Sequence, residues 1–137
     1  MANRAILVIT HGEFGIELVK SAEMIMGPQE NVSALALRPG NSVDDLRAEA
    51  NEIVAKNAEN GLETVVLVDL LGGSPSNVAL SLLGKHDLHI LTGVNMPMLI
   101  EMLTFYKTEE DTKKLIETVK ETSSVGISHL DRSFFKK

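Results

Sequence analysis

Four short aliphatic runs punctuate the chain: Ala5–Thr10 (AILVIT), Val32–Leu37 (VSALAL), Thr64–Leu70 (TVVLVDL) and Leu88–Thr92 (LHILT). The first and third are almost continuously apolar, the pattern of strands covered on both faces, and predict the centre of a parallel sheet. The second and fourth are mixed and predict strands nearer the edges. Helical periodicity fills the intervals. Leu18, Val19, Ala22, Ile25 and Met26 recur on one face until Gly27-Pro28 stops the helix. Ser42 with Asp45 resembles a capping box, and Val43, Leu46, Ala50, Ile53 and Asn57 form the stripe behind it, ending at Gly61. Ser74-Pro75 predicts an N-cap and a first-turn proline for a helix reaching Gly84. Another helix runs from Asn95 to Tyr106, and Thr108 is the expected cap of a last one carrying Leu115, Ile116 and Val119. The tail Val125–Leu130 predicts one more short strand. Strands alternating with helices give an α/β, doubly wound, mainly parallel sheet flanked by helices on both faces.

The 137 residues fit a single domain, 1–137, with no repeat, linker or low-complexity segment. Aromatics are only 4% of the chain, so the core must be aliphatic, with Met24, Met26, Met96, Met98 and Met102 expected as filler. A net charge of −6 argues against nucleic-acid or anionic-lipid partners, which need a basic face. The absence of cysteine removes disulfides, thiolate chemistry and Cys-ligated metal, and suits a cytoplasmic protein. No run is long and apolar enough to span a bilayer or serve as a signal-peptide core.

In open α/β sheets, ligands bind beyond the carboxyl ends of the strands, where strand order reverses. Three segments qualify: Thr10-His11-Gly12, Asp69 to Asn77 (DLLGGSPSN), and Gly93 to Pro97 (GVNMP). His11 is the one histidine directly after a strand. An imidazole with an ordinary pKa near ~6.5 offers a nucleophilic ring nitrogen at neutral pH, and Gly12 leaves room for a second molecule to approach. The alternative role is a loop-capping histidine. Asp69 either caps its own loop or accepts a hydrogen bond from His11, fixing the tautomer and turning the other nitrogen outward. Gly72, Gly73 and Ser74 before a helix start are either a tight turn with an N-cap or a cradle for a dianion. The spacing is neither that of a P-loop nor of a dinucleotide fingerprint. His86, His89 and His129 have no metal-ligand spacing, so no metal and no cofactor is expected.

Together, ILVITHG, SAEMIMG, LVDLLGGSPSNVA and GVNMPMLIE, in that order over residues 5 to 103, resemble the IIA component of the bacterial phosphoenolpyruvate-dependent sugar phosphotransferase system, mannose/fructose/sorbose family. The resemblance implies a phosphotransferase in which His11 is phosphorylated, Asp69 is its hydrogen-bonded carboxylate, and Gly72, Gly73 and Ser74 hold the phosphoryl group. It implies HPr as donor, a IIB component as acceptor, and the membrane components IIC and IID as indirect partners. It also implies a homodimer exchanging a C-terminal antiparallel strand. Some family members carry an aromatic where Leu71 stands. No IIB domain follows, so a free-standing IIA or a fragment is expected. Rival readings are a phospho-relay regulator of the same fold and a non-enzymatic anion-binding module. The sugar is not legible, because selectivity in this family belongs to the membrane components.

Overall fold

The computed structural model describes residues 2–136. Four parallel strands, β1 (Arg4–His11), β2 (Val32–Leu37), β3 (Glu63–Val68) and β4 (His89–Thr92), form one sheet in the order β2-β1-β3-β4. The two apolar runs are its centre, as their patterning predicts. Five α-helices cover it: α1 (Phe14–Met26), α2 (Val43–Glu59), α3 (Ser74–Leu82), α4 (Met96–Phe105) and α5 (Thr112–Val125), with a short 3₁₀ turn at Arg132–Lys136. Side-chain alternation along the central strands divides the core in two. Ile6, Val8, Val65 and Leu67 pack with residues of α1, α4 and α5, and Leu7, Ile9, Val66 and Val68 pack with α2 and α3. The chain leaves β1 toward β2 and returns to β3 on the other side of β1, so the order reverses between β1 and β3.

Local devices fix where α1 and α2 begin. The Gly15 N–H donates to the buried Thr10 Oγ1 at 2.8 Å, and a Cβ on Gly15 would stand 2.8 Å from Val8 Cγ1, so α1 starts pressed against β1. Between β2 and α2, Arg38-Pro39-Gly40-Asn41 forms a tight turn. The Asn41 N–H donates to the Arg38 carbonyl at 3.0 Å, and Gly40 takes a positive φ of 82°. Asn41 Oδ1 accepts from the Arg38 N–H at 2.8 Å, closing the turn from both ends. Ser42 caps α2 by accepting from the Asp45 N–H, as its spacing predicts.

Several expectations are corrected. The tail Val125–Leu130 forms no strand: Val125 ends α5, the following residues lack regular structure, and Ile127 and Leu130 are exposed. The β4 edge makes no pairing with it, so a tail strand would need a partner that a single chain does not supply. β3 stops at Val68, leaving Asp69 and Leu70 beyond the strand, because the Asp69 carboxylate bonds across to β1 and to the Leu70 N–H. α5 is capped by Asp111, not Thr108, since Asp111 accepts from the Lys114 N–H. Met98 and Met102 are buried filler, but Met24 points to solvent. One buried group escaped the pattern entirely. Arg4, at the start of β1, donates to Glu63, Thr112 and the carbonyls of Tyr106, Glu109 and Glu110, tying the sheet to the α4–α5 connection.

Candidate functional site

The order reversal puts the carboxyl ends of β1 and β3 side by side, Ile9 in register with Val68, so His11 and Asp69 meet just beyond them. His11 Nδ1 lies 2.8 Å from Asp69 Oδ2, which also accepts the His11 backbone N–H at 2.9 Å. Asp69 Oδ1 accepts the Leu70 N–H at 3.0 Å. One carboxylate therefore holds both the backbone and the ring of His11. In the neutral ring, Nδ1 donating to Asp69 leaves Nε2 as the unprotonated nitrogen. The ring is half exposed, whereas the Asp69 side chain is 13% exposed. Burial by itself would raise the Asp69 pKa. The hydrogen bonds from the His11 backbone and ring, the His11 charge when protonated, and the Leu70 N–H outweigh it and hold the carboxyl below its ordinary value. Asp69 is thus ionised at neutral pH.

The glycine loop arrives on the Nε2 side. A Cβ on Gly73 would stand 3.2 Å from His11 Cε1 and 3.4 Å from Nε2, at a φ of 98°. Gly73, not Ser74, is the N-cap of α3; Ser74 is the first helical residue, and Pro75 follows it. The cause is Ser76, which the sequence reading passed over. Its Oγ accepts the Gly72 N–H at 2.9 Å and faces the Gly73 carbonyl at 3.4 Å, folding the loop back on the helix start. A short polar residue at the third helical position, reaching back to a preceding N–H as in half a capping box, was the available signal. Gly72 has therefore spent its donor internally. The N–H groups of Gly73 and Ser74 and the Ser74 hydroxyl have no partner among the described residues. With the dipole of α3 behind them, these donors suit a doubly charged anion next to Nε2.

This division of labour makes the two serines separable. Ser76→Ala leaves the Gly72 N–H without its acceptor and is expected to lower stability by about 1–2 kcal/mol. Ser74→Ala removes no cap bond and is expected to cost less than half of that. Thermal melts of both variants check this; equal losses would contradict the assignment of the loop bond to Ser76.

The other segments do not converge on the ring. The GVNMP stretch ends β4 and starts α4, where Asn95 caps the helix by accepting from the Met98 N–H and donates to the Ser123 carbonyl. His86 pairs with Asn51 at 2.8 Å, and His89 lies 3.9 Å from Glu63. No three of His, Cys, Asp and Glu converge among the described residues in a way that could hold a metal ion. No helix among them is long and apolar enough to cross a membrane.

Comparison with known proteins agrees with this geometry. The family described as PTS system fructose IIA component (EIIA-man) matches residues 5–120. The mannose-specific EIIAB component of Escherichia coli K12 is 35% identical over 127 residues, covering 92% of this chain and 39% of that protein. This chain thus spans about two fifths of that relative's length. The fructose-specific EIIA component of Bacillus subtilis is 31% identical over 101 residues, 73% of this chain and 68% of that protein. The crystal structure of phosphotransferase system component EIIA from Streptococcus agalactiae superposes with a TM-score of 0.82 at 32% identity, covering 91% of this chain and 95% of that one. The fold, the strand-end histidine with its carboxylate, and these likenesses lead to one assignment: the chain belongs to the mannose/fructose/sorbose family of phosphotransferase-system IIA components.

Proposed function

We propose that His11 Nε2 receives a phosphoryl group from the phosphohistidine of HPr and passes it to a IIB component in the course of sugar uptake. The observation that carries this reading is the Nδ1–Asp69 contact of 2.8 Å beside Gly73. It leaves Nε2 with a lone pair and places unpaired donors next to it. In the first step the Nε2 lone pair attacks phosphorus; the Nε2–P bond forms as the donor's N–P bond breaks, and the donor imidazole leaves with that electron pair. Phosphoryl transfer asks the protein mainly to position the reactants and to donate to the equatorial oxygens. Asp69 offsets the positive charge that builds on the ring, while the Gly73 and Ser74 N–H groups and the Ser74 hydroxyl face the oxygens. In the second step the acceptor's nucleophile attacks the same phosphorus and Nε2 is the leaving group. Residues 1–137 act as one IIA unit in the cytoplasm, with the membrane components IIC and IID engaged only through IIB. The direct test is incubation with phosphoenolpyruvate, enzyme I and HPr, followed by mapping of the modified atom. Label anywhere other than His11 Nε2 would overturn the proposal.

Asp69→Asn is expected to slow transfer without abolishing it. An amide can orient the ring but carries no charge to set against the imidazolium, a loss of at most a few kcal/mol in the barrier. The same variant tests the linkage. Because the folded pKa of Asp69 is lowered, its contribution to stability is complete above the ordinary carboxylate pKa and is lost as pH falls through the lowered folded value. The stability gap between wild type and Asp69→Asn should therefore be constant near neutrality and shrink below about pH 4. Urea denaturation across that range measures it; a gap independent of pH would remove the charge from the account.

The assembly proposed is a homodimer in which the tail pairs antiparallel with a partner's β4. What supports it is an unpaired β4 edge together with exposed Ile127, Leu130, Phe134 and Phe135 in one short stretch. Deleting residues from Ser124 onward should give monomers or insoluble protein by light scattering. A soluble dimer after the deletion would place the interface elsewhere.

A further inference from the structure

A second charged pair stands at the site, and neither the family assignment nor the mechanism above uses it. Glu13 follows Gly12 directly, and Arg38 follows β2. Their side chains form a two-pronged ion pair, Arg38 Nε to Glu13 Oε1 at 3.0 Å and Nη2 to Oε2 at 3.1 Å. His11 is in register with Leu37, and the Gly12 N–H donates to the Leu37 carbonyl at 2.7 Å, so Leu37 sits one strand spacing, about 4.8 Å, from the His11 backbone and Arg38 is the next residue along. A cleft of about 470 Å³ runs from His11 and Gly12 to Leu37, Arg38, Pro39 and Val43, and Arg38 is the one cationic side chain among its lining residues. The Arg38 backbone is held at both ends of the closed turn described above, whereas its side chain is 53% exposed.

The charges decide what happens when His11 is phosphorylated. A phosphoryl group on Nε2 would bring up to two negative charges to the cleft that His11 and Arg38 both line, where Glu13 offers one. Guanidinium forks match phosphate geometry, and an exposed carboxylate partner holds them weakly. We propose that Arg38 is a phosphoryl-binding residue of this site, parked on Glu13 while His11 is free and transferred to the phosphoryl oxygens once His11 is phosphorylated. The glycine loop would then hold the group from the β3 side and Arg38 from the β2 side. Glu13 tunes the exchange: it keeps Arg38 near the site, and it repels the incoming group when Arg38 lets go. This inference rests on the phosphoryl-carrier reading of His11.

The test is the equilibrium of phosphoryl exchange between phospho-HPr and the full chain, which does not depend on how fast the partners dock. Wild type, R38Q, E13Q and the double variant are compared, each first checked for an unchanged melting curve, as expected for an exposed pair. R38Q should move the equilibrium about tenfold toward phospho-HPr, the size expected for one charge-assisted contact. E13Q should move it the other way. The double variant should be about tenfold below E13Q, because the lost contact is with the phosphoryl group itself. If the double variant returns to the E13Q level, Arg38 only neutralises Glu13 and the proposal fails; an unchanged R38Q defeats it equally. A wild type not phosphorylated on His11 would defeat the carrier reading, and this inference with it, and so is distinguishable from failure of the Arg38 contact alone.

Discussion

His11→Ala is expected to take no phosphoryl group from phospho-HPr while keeping the wild-type fold. The reason for the loss is that no second imidazole stands at this site among the described residues. His86 is engaged with Asn51, His89 lies on the β4 edge, and neither belongs to the end of the sheet where Asp69 and Gly73 meet. The reason for the retained fold is equally specific. The imidazole is half exposed and belongs to neither core cluster. Asp69 would still accept the backbone N–H of residue 11 and that of Leu70, so removing the ring leaves no buried carboxylate without a partner. Stability should stay within about 0.5 kcal/mol of wild type, apart from the loss of the ring's own bond to Asp69. Label transfer and a thermal melt on the same sample decide both halves. A variant labelled as well as wild type would remove His11 from the chemistry.

Gly73→Ala should slow transfer strongly without abolishing it, for a reason visible only in three dimensions. Its φ of 98° with ψ of 171° is a backbone conformation nearly confined to glycine, and an alanine there costs about 1–3 kcal/mol. In addition, the new methyl would stand 3.2 Å from His11 Cε1, so the ring must tilt away from Asp69 or the loop must retreat from Nε2. Either movement spoils the alignment on which transfer depends, and displacements of this order cost about 10- to 100-fold in rate. Gly72→Ala is the matched control. Its φ of 91° also favours glycine, but a Cβ there meets nothing within 4 Å. It should lose stability in the same way while keeping most of its rate per folded molecule. Equal rates for the two variants would show that contact with the ring does not matter.

Much of this molecule is legible in one dimension. Burial on both faces writes itself as unbroken apolar runs, so the central position of β1 and β3 follows from Ala5–Thr10 and from the Thr64 run. Once those two strands are neighbours, a histidine ending one and an aspartate following the other must face each other, and the pair is visible before any coordinate is known. Ser42 and the prolines of α3 and α4 mark helix starts because their effects are local in the chain. The tertiary structure decided whatever depends on partners distant in sequence. Beyond being a short polar residue near a helix start, Ser76 carries no signal of its own in the sequence pattern, yet it takes the Gly72 N–H and shifts the cap of α3 from Ser74 to Gly73. Nothing in the sequence pattern marks Arg4 as buried, and only the meeting of β1 with the α4–α5 connection supplies enough acceptors to bury it. The tail Val125–Leu130 read as a strand, but a strand exists only when another strand pairs with it. Arg38 and Glu13 are 25 residues apart, and only the parallel register of β1 with β2 brings them to the same edge as His11. Local propensity and burial pattern are properties of short segments and survive in the sequence. Hydrogen-bond partners across the sheet are set by register, which no single segment contains.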